Sequence, residues 1–254
     1  MSARDWYVPL SGSVRESRPD TLPRLFVFPH SGAGYARYSE FTKAVAPDLD
    51  VWAANLPGRQ ARLDEPPMAD LSALVEELAE RLPRHATARY GLFGYCGGAL
   101  LAFLVARALR DRGMPPPAAL IIASYEAPDI GFGLLTRRLA TMPSDRLWKW
   151  LIEEGGLSRE LAEEERLRRA VEPAVRADFS LLARYRYRPA PPLETPVTVC
   201  FGAGEDSPRG AWLGWRRQSV APLRLRALSS GHWLLDQAVD ELAKVVVEAF
   251  EETP

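Results

Sequence analysis

The stretch YGLFGYCGGALLAF, residues 90–103, constrains the fold more than any other part of the chain. It reads as an apolar strand, a tight Gly-x-Cys-x-Gly turn and an apolar helix. Gly94 and Gly98 flank Cys96, and glycine is needed there because a Cβ would crowd a sharp turn or block close packing of strand against helix. The stretch therefore predicts a strand and a helix packed face to face, which is the repeating unit of α/β proteins.

The same spacing matches the nucleophile elbow, a strained strand-to-helix turn that exposes a nucleophilic side chain. The helix that follows Cys96 supplies free backbone N–H groups and a partial positive charge, and both stabilise negative charge on a nearby sulfur. The pattern alone leaves two interpretations open. Cys96 is either a nucleophile or a buried structural cysteine, since free cysteine is among the most buried residue types. The order of the surrounding motifs favours the nucleophile.

Apolar runs alternate with amphipathic helices along most of the chain. Strands are predicted at 24–29, 50–55, 90–93, 118–123, 196–201 and 223–228. This alternation predicts an α/β fold built on a mostly parallel, doubly wound sheet. A length of 254 residues fits one such domain over 1–254.

Residues 129–188 interrupt the alternation. They are rich in Arg and Glu, carry several aromatic residues, and contain no apolar run of the kind that forms strands. We interpret this region as a helical lid inserted into the sheet domain. The alternative is that it simply continues the alternating α/β pattern.

Composition excludes several classes of function. The formal net charge of −1 gives no electrostatic reason to bind nucleic acid or an acidic membrane surface. No signal peptide and no run of 18 apolar residues is found, so a soluble cytoplasmic protein is expected. The two cysteines, Cys96 and Cys200, are too few for a disulfide framework, and a reducing compartment suits a catalytic thiol. The spacing of His and Cys residues predicts no metal site.

A thiol nucleophile needs a base, and the chain has three histidines. His85 lies between a helix and a strand, which places it at the amino ends of the strands, opposite the elbow. His30 follows the first predicted long strand and begins a Ser-Gly-Ala-Gly loop whose backbone N–H groups suit an oxyanion hole. His232 follows the last strand and completes the chain order nucleophile, acid, histidine. His232 is therefore the predicted base.

The acid that orients this histidine is expected after a strand between Cys96 and His232. Asp206 fits because it lies in the loop after the strand at 196–201, and the adjacent Glu205 is the alternative. The N–H of Gly97, directly after the nucleophile, is the expected oxyanion donor from the elbow.

The chain resembles the stand-alone type II thioesterases of polyketide and nonribosomal peptide assembly lines, which have the α/β-hydrolase fold. The resemblance rests on motifs spread from Arg24 to the C-terminus: FPHSGAG at 28–34, LPGR at 56–59, GYCGGA at 94–99, Ala127-Pro128, and Gly231-His232-Trp233. Each motif is weak alone, and together they are specific.

The resemblance implies a substrate: an acyl or aminoacyl group carried on the phosphopantetheine arm of a carrier protein, entering under the lid. It implies oxyanion N–H groups from Ser31 and Gly97, a substrate-binding place for His30 and Tyr95, no separate cofactor, and a monomer. Two residues depart from the family pattern. Tyr95 stands where the family usually has His, and Cys96 stands where it usually has Ser.

The cysteine leaves the fate of the acyl group open. Hydrolysis through an acyl-Cys96 intermediate is the main hypothesis, and transfer to a second carrier protein or to an amine is the alternative. A second alternative is an esterase or lactonase acting on free small molecules. A scaffold that only binds a partner is disfavoured, because such a protein has no need of Cys96, Asp206 and His232 together.

Overall fold

The computed structural model describes residues 4–10, 22–130, 134–156 and 164–251. Within them, seven strands form one sheet in the order β1-β3-β2-β4-β5-β6-β7. The strands are β1 (Tyr7–Pro9), β2 (Arg24–Phe28), β3 (Asp50–Ala54), β4 (Tyr90–Tyr95), β5 (Ala119–Ala123), β6 (Val197–Gly202) and β7 (Arg224–Leu228). The short edge strand β1 runs antiparallel to β3, and every other pair is parallel. The predicted, mostly parallel sheet is confirmed, because these strands are the apolar runs that a sheet covered on both faces requires.

Helices cover both faces of the sheet, as predicted for a doubly wound fold. The helices outside the lid region are α1 (Ser39–Val45), α2 (Leu71–Arg81), α3 (Gly97–Asp111), α7 (Arg209–Leu213), α8 (Leu234–Gln237) and α9 (Val239–Glu251). Helices α2 and α3 contribute to the hydrophobic core on one face, and α1, α8 and α9 contribute to the core on the other. Burial of two sheet faces gives β4 and the elbow a rigid setting at the centre.

In the described residues between β5 and β6 lie three helices, α4 (Leu134–Thr141), α5 (Ser144–Glu153) and α6 (Glu165–Arg184). The described part of 129–188 contains no strand, in agreement with the helical prediction for this region. Trp148, Val175, Phe179 and Leu182 are buried in the same apolar cluster as α3 and the sheet. The helices therefore pack directly over the elbow helix.

Two details near the C-terminus differ from the sequence prediction. The helix predicted at 212–220 is shorter and earlier: α7 ends at Leu213 and a 3-10 turn follows, Gly214–Arg217. The final helix predicted at 234–250 is divided into α8 and α9, because Ala238 has φ −146°, far from helical geometry. None of the helices in the described ranges has the length and apolar character needed to span a membrane.

Candidate active site

Cys96 lies at the turn between β4 and α3 and has a strained backbone. Its φ is 49°, which is rare for a residue with a side chain, and its N–H donates to the Ala123 carbonyl at 2.8 Å. A Cβ on Gly98 would lie 2.1 Å from the Phe28 carbonyl oxygen, and one on Gly94 would lie 2.4 Å from that of Gly98. Both glycines are required by close backbone contact, as the Gly-x-Cys-x-Gly pattern predicts.

His232 reaches this turn from the loop after β7. The imidazole interacts with the Cys96 side chain, and its Nδ1 lies 2.6 Å from Glu205 Oε1. Since Nδ1 bonds the carboxylate, Nε2 is the ring nitrogen left for the sulfur. The structure thus joins a thiol, an imidazole and a carboxylate from three different loops at the carboxyl edge of the sheet, where active sites of open α/β sheets lie.

The carboxylate that contacts His232 in this arrangement is Glu205, and the predicted acid Asp206 is its neighbour in the same loop. Glu205 turns back toward β6: its N–H donates to the Gly202 carbonyl at 3.0 Å, and the N–H of Gly202 lies 3.4 Å from its Oε2. This tight turn directs the Glu205 side chain to His232 and leaves Asp206 exposed on the surface. The adjacent residue that the sequence analysis kept as the alternative therefore contacts the histidine.

The two histidines at this edge carry different charges. Burial lowers the pKa of His232, but hydrogen bonds and charge interactions with Cys96 and Glu205 outweigh it and raise the value from 6.5 to about 10. Burial lowers the pKa of His30 from 6.5 to about 3, helped by the positive charges of Arg37, His232 and Arg59. At neutral pH His232 is an imidazolium and His30 is neutral, so only His232 can donate a proton to a leaving group.

Ser31 and Gly97 face each other across the elbow. Ser31 lies in the loop after β2, and a Cβ built on Gly97 would lie 2.4 Å from its Oγ. Gly97 begins α3, where the first N–H groups of a helix have no partner within the helix. The two residues line a small cavity of about 20 Å³ together with apolar side chains of α3 and α6: Leu101, Leu181 and Leu182.

The two residues predicted to bind substrate lie in a layer beneath His232 instead. Tyr95 is fully buried, its hydroxyl donates to the His232 carbonyl at 2.6 Å, and it accepts from the Leu234 N–H at 3.2 Å. The rings of Tyr95 and His232 stack with centroids 6.0 Å apart. His30 is only 5% exposed, and its Nδ1 lies 3.2 Å from the Tyr38 hydroxyl. The Tyr95 hydroxyl thus holds the histidine loop, and substrate binding by Tyr95 and His30 stays a prediction.

His85 lies where the sequence analysis placed it, away from the elbow. Its carbonyl accepts from Arg24, the first residue of β2, and its ring packs 4.8 Å from that of Trp52. His85 therefore lies at the amino ends of the strands. Cys200 is fully buried in β6, and burial raises the pKa of its thiol to about 12, so it is an inert core residue.

The sequence analysis missed an ion pair between α6 and the loop after β3. Arg59, in the loop after β3, donates hydrogen bonds to the Asp178 carboxylate of α6. Its Nη1 lies 2.7 Å from Oδ2 and its Nη2 lies 2.9 Å from Oδ1. Asp178 also accepts from the Gly32 N–H at 2.8 Å. One signal was present in the sequence: Asp178 interrupts the apolar face of α6 formed by Val175 and Leu182, where an unpaired acid is unfavourable.

The described residues hold no group of three or more His, Cys, Asp and Glu side chains close enough to bind a metal ion.

Comparisons with known proteins identify the family of the chain. The thioesterase domain model matches residues 23–250. Over 231 residues the chain is 30% identical to the thioesterase PikA5 of Streptomyces venezuelae, covering 88% of this chain and 79% of the relative. It is 26% identical to the gramicidin S biosynthesis protein GrsT of Aneurinibacillus migulanus, covering 86% and 85% of the two chains.

Solved structures give the same result. The type II thioesterase BorB from the borrelidin biosynthetic cluster superposes with a TM-score of 0.83 at 28% identity, covering 96% of this chain and 97% of BorB. RedJ, a thioesterase of the prodiginine pathway in Streptomyces coelicolor, superposes with a TM-score of 0.82 at 28% identity, covering 92% and 95%. The chain therefore has the α/β-hydrolase fold and belongs to the thioesterase family.

Proposed function

We propose that this protein is a type II thioesterase of polyketide or nonribosomal peptide biosynthesis. Its substrate is an acyl or aminoacyl group held as a thioester on the phosphopantetheine arm of a carrier protein. The observation that carries the proposal is the contact of Cys96 with His232 and of His232 with Glu205. The names of the relatives support the proposal: PikA5 and RedJ are thioesterases, BorB is a type II thioesterase of a biosynthetic cluster, and GrsT is a gramicidin S biosynthesis protein.

In the first chemical step, the Cys96 sulfur, having given its proton to His232, attacks the carbonyl carbon of the thioester. The carbonyl oxygen becomes an oxyanion, and the N–H groups of Ser31 and Gly97 are proposed to stabilise it. The carbon–sulfur bond to pantetheine then breaks, and the departing thiolate takes the proton of the His232 imidazolium. The products are a free carrier thiol and an acyl-Cys96 thioester.

In the second step, a water molecule attacks the acyl-Cys96 carbonyl. Neutral His232 removes the proton of the water through Nε2, and the same N–H groups hold the second oxyanion. The bond to Cys96 breaks, the free acid leaves, and Cys96 and protonated His232 regain their starting state. Glu205 keeps Nδ1 protonated and stabilises the positive ring, which is the function of the third member of a triad.

Acyl transfer is a second candidate, and the identity of the nucleophile favours it. Moving an acyl group from pantetheine to cysteine exchanges one thioester for another, so this step is close to balanced. A serine would form an oxoester, which is lower in energy. A balanced thioester intermediate suits delivery to a second carrier thiol or to an amine, in which case the nucleophilic atom of that acceptor replaces the attacking water.

The cavity geometry supports a closed, protected intermediate. The space beside Ser31 and Gly97 is about 20 Å³, and α6 covers it with Leu181 and Leu182. An acyl group larger than a few atoms needs the lid to shift. We therefore propose that the lid limits access of water to acyl-Cys96. We also propose that the protein acts on its carrier partner as a monomer.

Single-turnover experiments with loaded carrier proteins test the proposal. The acyl group is labelled, and its loss from Cys96 and its appearance as free acid or on the acceptor are measured in buffer, with an unloaded second carrier protein, and with candidate amines. A rate of acyl loss in buffer that no acceptor increases supports hydrolysis. A rate that one acceptor increases supports transfer. Cleavage of free esters or lactones, with no cleavage of loaded carrier proteins, contradicts both hydrolysis and transfer of carrier-bound acyl groups.

A further inference from the structure

The lid helix α6 contacts the oxyanion loop, residues 30–34, through one carboxylate. Asp178 Oδ2 accepts hydrogen bonds from the Gly32 N–H at 2.8 Å and from Arg59 Nη1 at 2.7 Å. Its Oδ1 accepts from Arg59 Nη2 at 2.9 Å. The Asp178 and Arg59 side chains are 13% and 6% exposed, so this ion pair is almost completely buried.

The same guanidinium holds the other side of the loop. Arg59 Nη1 lies 3.2 Å from the Ala33 carbonyl oxygen, so Gly32 and Ala33 are both bound by the Arg59–Asp178 pair. Ser31, the proposed oxyanion donor, directly precedes Gly32 in the chain. Any movement of the pair therefore reaches the Ser31 N–H through one peptide unit.

Gly32 shows how closely the helix approaches. Its φ is 77°, in the region that favours glycine, and a Cβ there would lie 2.7 Å from Val175 Cγ2 of α6. The conformation of the loop and the position of α6 thus depend on each other. A shift of the helix removes the acceptor of the Gly32 N–H and the partner of a buried guanidinium together.

Stability is a poor reason for such a pair. Buried ion pairs are often no better for stability than apolar residues of similar size, because both charges lose their hydration. Their advantage is directional, since a forked guanidinium–carboxylate contact has only one good geometry. A pair that joins a lid helix to an oxyanion loop is thus best explained by the geometry that it imposes.

We infer that Asp178 and Arg59 are positioning residues that set the oxyanion loop only when α6 is docked. The oxyanion hole is then complete when the lid is closed over the acyl group and loosened when α6 moves away. This inference rests on the proposed function, because it assumes that Ser31 and Gly97 stabilise an oxyanion formed at Cys96.

Two reactions of the same sulfur separate positioning from general damage. Acylation of Cys96 by a loaded carrier protein forms an oxyanion, whereas alkylation of Cys96 by iodoacetamide displaces iodide and forms none. Asp178→Ala should slow acylation roughly 10²-fold, the range for loss of an oxyanion donor, and leave alkylation within about threefold of wild type. Asp178→Asn keeps the shape and an acceptor for Gly32 but loses the charge, and should show a smaller loss in the same direction.

Glu172 offers a matched control on the same helix. It pairs with Arg176 at 2.7 Å and accepts from Trp148 Nε1 at 2.7 Å, both within the lid. Glu172→Gln removes a lid ion pair without touching the oxyanion loop, and acylation should remain near wild type. The double variant Arg59→Met/Asp178→Leu should regain, in denaturant unfolding, the stability that Asp178→Ala loses, because an apolar pair fills the space. Its Cys96 should still be acylated slowly, because the apolar pair does not fix the oxyanion loop.

Each outcome decides a separate point. Wild-type acylation rates in Asp178→Ala, equal losses in Asp178→Ala and Glu172→Gln, or parallel losses of acylation and alkylation would overturn the positioning role. Recovery of acylation in the double variant would also overturn it. Absence of acylation at Cys96 in the wild type would overturn the proposed function itself, and the inference with it.

Discussion

Glu205 Oε1 lies 2.6 Å from Nδ1 of His232, and the other nitrogen of the same ring is left for Cys96. This pairing identifies the carboxylate that holds the histidine in one tautomer. The interactions with Cys96 and Glu205 also explain why the pKa of His232 is raised although its ring is partly buried.

The first prediction separates the two adjacent acids. Glu205→Gln removes the charge that stabilises the imidazolium, so the acylation rate should fall roughly 10²-fold. That loss is smaller than in a serine triad, because a thiol needs less help to become a nucleophile. Asp206→Asn should change the rate less than about twofold. A large loss in Asp206→Asn with a normal Glu205→Gln would contradict the contact seen here.

The fold and most of the site were predictable from local sequence, but the choice between these acids was not. Apolar runs and the glycines of the elbow are local signals, because each reflects burial or backbone contact within a few residues. Glu205 and Asp206 share the same loop, and the turn back onto Gly202 decides which side chain meets His232. That turn has no strong sequence signal.

The same limit applies to longer contacts. Arg59 and Asp178 are 119 residues apart, and Tyr95 reaches the His232 loop across 137 residues. Motif reasoning placed Tyr95 beside the nucleophile and assumed that it faced the substrate. Its direction depends on strand alternation at β4, where the residue before the elbow points into the core.

The second prediction concerns the base. His232→Ala should lower turnover of a loaded carrier protein by roughly 10² to 10⁴, the range for a positioned acid–base group. His85→Ala is the matched control, since His85 packs on Trp52 at the opposite end of the strands. Steady-state turnover measures both. A silent His232→Ala with an inactive His85→Ala would show that the chemistry lies at the other edge.

The third prediction is a pH dependence of stability. The pKa of His232 is raised from 6.5 to about 10 in the folded protein. A raised pKa means that the folded state holds the proton more tightly, so the stabilisation is complete below pH 6.5 and is lost as pH rises toward 10. The free energy of unfolding, measured with denaturant, should therefore fall over this interval more in the wild type than in His232→Ala. Equal pH profiles in the two proteins would refute the raised pKa.

The fourth prediction concerns motion of the lid. Helix α6 rests on the oxyanion loop through Gly32 and Val175, whereas α3 is buried between the sheet and its neighbours. Amide hydrogen exchange should show α6 opening more readily than α3. Exchange measured by mass spectrometry on peptides of the two helices gives the comparison. Equal protection would indicate a fixed structural layer in place of a lid.

The most direct test of the account is the covalent intermediate itself. Wild-type protein is mixed with a carrier protein bearing a labelled acyl group, quenched within one turnover, and analysed by intact-protein and peptide mass spectrometry. The account predicts the acyl mass on the peptide that contains Cys96, and no added mass in Cys96→Ala, which should also fail to turn over. Acylation at Cys200, or turnover by Cys96→Ala at the wild-type rate, would contradict it.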